Sequence, residues 1–147
     1  ENGILSIEDE ITPEELAKLG KKKVVIKGTK PYKMEDHLKG KPKEIVSLFM
    51  DIREKILDLG SAVKEKPLKY YMAYATTSNF AEILIQAKTL KIYLDIGEKE
   101  INDPRHLTKD CTRVGHWTTG DVVMSIKDAK DINYVISLIE QSYKLTL

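Results

Sequence analysis

Cysteine, arginine and long apolar runs are scarce in this sequence, and each shortage argues against a particular kind of site or protein. The chain has 147 residues and a single cysteine, Cys111, which rules out an internal disulfide and argues against a cysteine-based zinc site. Its three arginines, Arg53, Arg105 and Arg113, are few for sequence-specific reading of base edges, which favours bidentate arginine. No run approaches the ~18 apolar residues of a membrane-spanning helix, so the chain is not expected to enter a bilayer.

The residues that are present predict one folded domain. Hydrophobic residues make up 41% of the chain and charged residues 32%, with a net charge of +1, which excludes disordered and collagen-like classes. A chain of this length forms one domain with room for a core. The first residue is Glu1 rather than Met, which predicts a processed chain or a piece of a longer protein. The single cysteine, the many lysines and the lack of a signal-peptide pattern predict a cytoplasmic location.

Charge changes abruptly within the first third of the chain. Residues 1–15 carry six acids and no base, whereas residues 18–43 carry ten lysines against two acids. We interpret residues 1–34 as an appendage with a short helix from Thr12 and a short strand at 23–27. The lysine-rich part is either a basic arm for nucleic acid or a solvated connector, and the strand pairs with the main sheet or with another domain. The remaining residues, 35–147, form the predicted domain.

Periodicity predicts two helices and a meander. Apolar residues recur at helical spacing over 43–59, after Pro42, and again over 128–144, with Asp128 as a candidate cap. The predicted inward stripes are Ile45, Leu48, Phe49, Ile52, Ile56 and Leu59 in the first helix, and Ile132, Val135, Ile136, Ile139 and Tyr143 in the second. The predicted strands are 69–76, 80–86, 90–96 and 121–126, with 112–114 as a candidate partner of the last. The fold class is therefore α+β: an antiparallel sheet, a meander plus a further strand or hairpin, with the N-terminal and C-terminal helices on one face.

Motifs for catalysis are incomplete. Cys111 and His116 could form a nucleophile–base pair, but nothing in the sequence around Cys111 activates the thiol. The histidines lack metal-ligand spacing, and neither Glu82 nor Asp95 is followed two residues later by the lysine of a nuclease site. Nucleotide-binding glycine motifs are also absent. We therefore expect no enzymatic activity, no metal and no cofactor.

The polar face of the meander carries the candidate binding residues. Alternation places Lys91 beside Tyr93, and a lysine–tyrosine face suits a phosphate backbone or an acidic peptide. The candidate nucleic-acid-binding residues are Lys69, Lys88, Lys91, Tyr93, Arg105, Arg113, His116 and Trp117. The alternative interpretations are a solvated sheet face and, for Trp117, an anchor that holds a glycine-flanked turn on the core.

Scattered motifs resemble a known family. They are His37-Leu38-x-Gly40-Lys41-Pro42, Lys69-x-Tyr71-x-Ala73-Tyr74, Asn79-Phe80, Leu90-Lys91-x-Tyr93-Leu94, Asp103-Pro104, Asp110, Gly115-His116-Trp117, Gly120-Asp121, Asp131-x-x-Tyr134-Val135 and Gln141-Ser142-Tyr143. Over residues 35–144 the chain resembles an uncharacterised prokaryotic C-terminal domain family. Its members are fused to restriction-type or NucS-like endonucleases, and some are labelled "predicted transport protein". The second half is similar, more loosely, to YjbR-like double-wing proteins, for which DNA binding has been suggested.

The resemblance implies a non-catalytic accessory domain of a nucleic-acid-processing protein. Its expected partners are the backbone of DNA or RNA, an upstream nuclease domain, or a second copy of the chain. The alternative is a protein-interaction or oligomerisation module without nucleic-acid contact, which an exposed apolar patch would favour. A small-molecule sensor with a closed cavity is a third hypothesis.

Overall fold

A six-stranded antiparallel sheet lies at the centre of the computed structural model, which describes residues 31–112 and 120–147. The elements follow the chain as α1 (Met34–Leu38), α2 (Lys43–Leu57), β1 (Lys64–Pro67), β2 (Met72–Ala75), β3 (Asn79–Ile85), β4 (Leu90–Leu94), β5 (Lys109–Asp110), β6 (Val122–Ile126) and α3 (Ile132–Lys144). The strands are arranged in the order β1-β2-β3-β4-β6-β5. The predicted meander is therefore present, with one more strand before it and two after it.

The register of the strands assigns residues to two faces. Met72 pairs with Ile83, Ile83 with Ile92, and Ile92 with Met124, so these four side chains share the first face. All four are at most 1% exposed and join one core with the buried residues of α2 and α3. Both long helices thus pack on the first face, which confirms the predicted fold class.

The second face is also buried at its centre. Lys66 pairs with Ala73, Ala73 with Glu82, and Glu82 with Tyr93, which places all four on this face. Ala73 and Glu82 are fully buried, while Lys66 and Tyr93 are partly exposed. The expectation of a wetter face therefore holds at β1 and β4 and is wrong at β2 and β3.

A β-bulge brings two consecutive residues of β3 into the core. Tyr74 pairs with Ala81 but Ala75 pairs with Asn79, which leaves Phe80 as the extra residue. The ring of Phe80 packs edge-on against Tyr143 with centroids 5.3 Å apart. Its carbonyl oxygen accepts a 2.7 Å hydrogen bond from Ser142 Oγ, so the bulge is fastened to α3.

Several predicted boundaries were wrong, mostly by a few residues. The strand predicted over 69–76 begins only at Met72, because residues 68–71 form the turn between β1 and β2, closed by Leu68 N–H donating to Tyr71 O. Strand β6 pairs with β4 and with β5 (Lys109–Asp110), and of the candidate partner 112–114 only Thr112 lies within the described residues. Helix α3 begins at Ile132 with Asp131 as its N-cap. Asp128 instead accepts a hydrogen bond from Lys130 N–H within the preceding loop. The helix and strand predicted within residues 1–30 lie outside the described residues.

Candidate functional site

Five lysines gather where the two hairpin turns end the sheet. Lys69 lies in the β1–β2 turn and Lys88 in the β3–β4 turn. Because β1, β2, β3 and β4 are successive antiparallel neighbours, both turns lie at the same end of the sheet. Lys127 follows Ile126, which pairs with Leu90 beside the same β3–β4 turn. We call this group the lysine end, and its members are Lys66, Lys69, Lys88, Lys91 and Lys127. The structure therefore brings together three of the candidate residues and adds Lys66 and Lys127.

Sequence reasoning missed Lys66 because it missed β1. The strand reads Lys-Glu-Lys-Pro, which is unlike a typical strand, and it lies at the edge of the sheet where lysine and proline discourage further pairing. Lys69 lies in a turn rather than in the strand predicted over 69–76. The local sequence indicates only Lys88 and Lys91, at the turn before β4, because the β1–β2 turn cannot be found without β1.

Four members of the lysine end, Lys66, Lys88, Lys91 and Lys127, form no ion pair with another described residue. The Lys69 ammonium lies 5.2 Å from the centre of the Tyr70 ring, a cation–π distance. Lys88 and Lys127 are exposed, and Lys66, Lys69 and Lys91 are half-buried.

His37 holds one of the two turns in place. Its Nε2 lies 2.6 Å from Leu68 O, and since a carbonyl can only accept, Nε2 carries the proton. Burial lowers the pKa of His37, while the bond to Leu68 opposes this change. The neutral ring thus links α1 to the residue that precedes Lys69.

The opposite end of the sheet is acidic. Burial raises the pKa of the Cys111 thiol, and the carboxylates of Asp110, Asp121, Glu82 and Asp95 raise it further. The described groups around Cys111 therefore disfavour its thiolate form, and His116, the candidate base, lies outside the described residues. The described part of the sheet therefore carries negative charge around Cys111 and positive charge at the lysine end, so of these two ends the lysine end attracts a polyanion more strongly.

Gly120 fixes the position of Tyr93 near the acidic end. A Cβ atom at Gly120 would lie 2.7 Å from Tyr93 Cβ and 3.0 Å from Leu94 N, closer than packed atoms approach. Asp121 N–H donates to Leu94 O at 2.9 Å and holds the chain at this distance. Burial raises the pKa of Tyr93, with Cys111 adding to the effect, so the phenol is neutral. The Cβ atom of Tyr93 thus lies against the backbone of Gly120, and its side chain is partly exposed.

Gly120→Ala is expected to lower the free energy of unfolding by about 2–3 kcal/mol, because a strand must move to relieve the overlap. Gly40→Ala is the matched control: Gly40 has φ +75° but open space around it, so only backbone strain of about 1 kcal/mol is expected. Urea denaturation of both variants measures the difference. Equal costs would contradict the close approach of Gly120 to β4.

Arg105 belongs to a different cluster, beside the start of α3. Its NH1 donates to Asp131 Oδ1 at 3.0 Å, and its guanidinium lies 4.3 Å from the centre of the Tyr134 ring. The Tyr134 hydroxyl donates to Asp103 Oδ1, and Gln141 exchanges two hydrogen bonds with the backbone of Asn102. Motif residues that are distant in sequence therefore fasten the β4–β5 connection to α3, which gives them a structural role.

Asp103 is strongly hydrogen-bonded in this cluster. Burial acts to raise its pKa, but hydrogen bonds from Tyr134 and from the amide and hydroxyl of Thr108, at 2.7 and 2.8 Å, outweigh burial and lower the pKa to about 2. A carboxyl with a depressed pKa stabilises the folded state above its ordinary pKa, and this contribution is lost as the pH falls.

Asp103→Asn is expected to reduce stability most at pH 5 and progressively less as the pH falls from about 4 to about 2, where the wild-type carboxylate becomes protonated. Urea denaturation of both proteins across this pH range measures the gap between them. Asp51→Asn, at an exposed position of α2, is the matched control and is expected to change the free energy of unfolding little. A gap for Asp103→Asn that stays constant from pH 5 to pH 2 would contradict this assignment.

Three predicted binding residues, Arg113, His116 and Trp117, lie outside the described residues. Among the residues that are described, no group of three or more His, Cys, Asp or Glu could hold a metal ion. Of the helices in 31–112 and 120–147, none is long and apolar enough to cross a membrane.

These features define an α+β domain with an open antiparallel sheet, a basic end and an acidic end. The chain belongs to the family described as "Domain of unknown function (DUF5655)", whose model matches residues 34–146. An uncharacterized protein of Haemophilus influenzae is 35% identical over 120 residues, which are 82% of this chain and 40% of that protein. The chain thus spans less than half the length of this relative. No solved structure matches the chain. Fusion to nucleases and likeness to double-wing proteins stay predictions.

Proposed function

We propose that the chain is a non-catalytic accessory domain of a nucleic-acid-processing protein and binds nucleic acid weakly, without sequence preference, at the lysine end. The observation that carries this proposal is the gathering of five lysines on one end of the sheet, at a distance from the acidic end. Lysine contacts to phosphates position a protein on nucleic acid but carry no sequence information. Arg53 and Arg105, which could read bases, are engaged by Glu65 and Asp131.

The accessory role is supported by length and by chemistry. The similar region covers only 40% of the Haemophilus influenzae protein, as expected for one domain of a larger chain. Cys111, the one thiol, has a raised pKa. The protein-interaction alternative needs a contiguous apolar patch. The large apolar side chains exposed among the described residues are Tyr32, Leu145 and Leu147, which lie at the ends of the described chain.

Reversing charge at the lysine end tests the proposal. Binding to a fluorescent oligonucleotide is expected with a dissociation constant of about 10⁻⁴–10⁻⁶ M at physiological salt, and with strong weakening as salt rises. The double variant Lys88→Glu with Lys91→Glu is expected to weaken binding by more than tenfold. Lys55→Glu with Lys99→Glu makes the same change in net charge at exposed positions, one near the end of α2 and one after β4, and is expected to leave binding nearly unchanged.

Two results would contradict the proposal. Equal weakening by both double variants would show that net charge, rather than the lysine end, attracts the oligonucleotide. Loss of all binding on removal of residues 1–30 would assign the activity to the lysine-rich segment before the domain. Circular dichroism of each variant checks that the sheet is retained.

A further inference from the structure

Three members of the lysine end form a row that crosses the strands. Lys69 lies between β1 and β2, Lys88 between β3 and β4, and Lys127 at the end of β6. Neighbouring strands are about 4.8 Å apart, so the row extends over three and a half strand spacings, roughly 17 Å. Successive stacked nucleotides of one strand are about 3.4 Å apart, so this length corresponds to about five nucleotides.

The elements that carry the row are unsuited to reading a duplex. Each turn has two residues at its tip and is closed by one backbone hydrogen bond, from Leu68 N–H to Tyr71 O and from Gln86 N–H to Thr89 O. A two-residue tip is short compared with the major groove, about 8.5 Å deep, into which duplex readers insert a helix or a ribbon. A row of point charges on one line matches one phosphate backbone.

Tyr70 supplies the second feature of a single-strand site. It lies at the tip of the β1–β2 turn, beside Lys69 at 5.2 Å, so an aromatic ring and a cation are adjacent at one end of the row. Proteins that bind single strands combine a basic path for the backbone with aromatic rings on which bases stack. A base stacked on Tyr70 brings its own phosphate within reach of Lys69.

We infer that the nucleic acid bound at the lysine end is single-stranded, with its backbone running from Lys69 past Lys88 to Lys127 and one base stacked on Tyr70. This inference rests on the proposed function and adds that the ligand is single-stranded and which path its backbone follows. Tyr93, a stacking candidate from the sequence, lies beside Gly120 near the acidic end and away from this row.

Fluorescence anisotropy of the whole chain with an oligothymidine of about 12 nucleotides, and with a duplex of the same length, tests the inference at about 50 mM salt. The single strand is expected to bind at least fivefold more tightly than the duplex. Tyr70→Leu is expected to weaken single-strand binding by about five- to tenfold, since stacking is lost. Tyr70→Phe keeps the ring and is expected to keep the affinity.

Salt titration locates the strand. Lys127→Gln is expected to make the slope of log affinity against log salt shallower by about 0.7, the value for one phosphate contact in a single strand, whereas Lys99→Gln, at an exposed position after β4, is expected to leave it unchanged. Duplex binding as tight as single-strand binding would overturn the inference and leave the proposed function standing. Equal affinities of Tyr70→Leu and wild type would also overturn it. Failure of both ligands to bind would instead overturn the proposed function.

Discussion

Replacing Ile52 with alanine is expected to lower the free energy of unfolding by about 2–5 kcal/mol, and Ile139→Ala is expected to cost a similar amount. Both side chains are fully buried, one on α2 and one on α3, and both belong to the core that covers the first face of the sheet. Each substitution removes apolar contacts and leaves a cavity that close-packed neighbours fill only in part. Urea denaturation of the two variants measures the loss.

Ile136→Ala on α3 is the control for this prediction. Ile136 packs against the core but is only half-buried, so its truncation is expected to cost about 1 kcal/mol. A loss below about 0.5 kcal/mol for Ile52→Ala or Ile139→Ala would show that the corresponding helix does not pack on the sheet as described.

The sequence predicted the long helices well because their apolar residues repeat at the helical period. Five of the six residues in the predicted stripe of α2 are buried, and Leu59 lies just past its end and is partly buried. In α3 the predicted stripe was rotated slightly. Leu138 and Ser142 are fully buried, whereas Ile132 and Ile136 are only half-buried. At the bulge, Phe80 O accepts a hydrogen bond from Ser142 Oγ. These residues are 62 positions apart, so no local pattern in the sequence indicates the contact.

Strand β1 and the buried centre of the second face could not be predicted from local pattern. The Lys-Glu-Lys-Pro segment forms a strand because it pairs with β2, not because its residues favour strands. Glu82 occupies a polar position of the alternation in β3 and nevertheless is fully buried. Of the candidate site, local pattern predicted the lysines near the turns. The inclusion of Lys66 and Lys127 required the order of the strands.

One ion pair fastens the unpredicted strand to α2. Arg53 donates from Nε and NH2 to the two carboxylate oxygens of Glu65 at 2.6 and 2.9 Å, and the Tyr74 hydroxyl donates to the same carboxylate at 2.8 Å. The side chains of Arg53 and Glu65 are 28% and 17% exposed, and Tyr74 is fully buried. Burial raises the pKa of Tyr74 and the Glu65 charge raises it further, so the phenol stays a donor. The carboxylate therefore satisfies three donors that water reaches poorly.

Glu65→Ala is expected to lower the free energy of unfolding by about 2–4 kcal/mol, because it leaves Arg53 and Tyr74 without their acceptor in a partly buried setting. Asp131→Asn breaks the exposed pair with Arg105, whose side chains are 59% and 52% exposed, and is expected to cost less than about 1 kcal/mol. Adding Tyr74→Phe to Glu65→Ala is expected to cost little more, since the hydroxyl has already lost its acceptor, whereas Tyr74→Phe alone is expected to cost about 1 kcal/mol or more. Urea denaturation of wild type, the two single variants and the double variant completes the cycle, and Asp131→Asn is measured beside them. Equal losses in the free energy of unfolding for Glu65→Ala and Asp131→Asn would show that β1 is held to the sheet by its pairing with β2 alone.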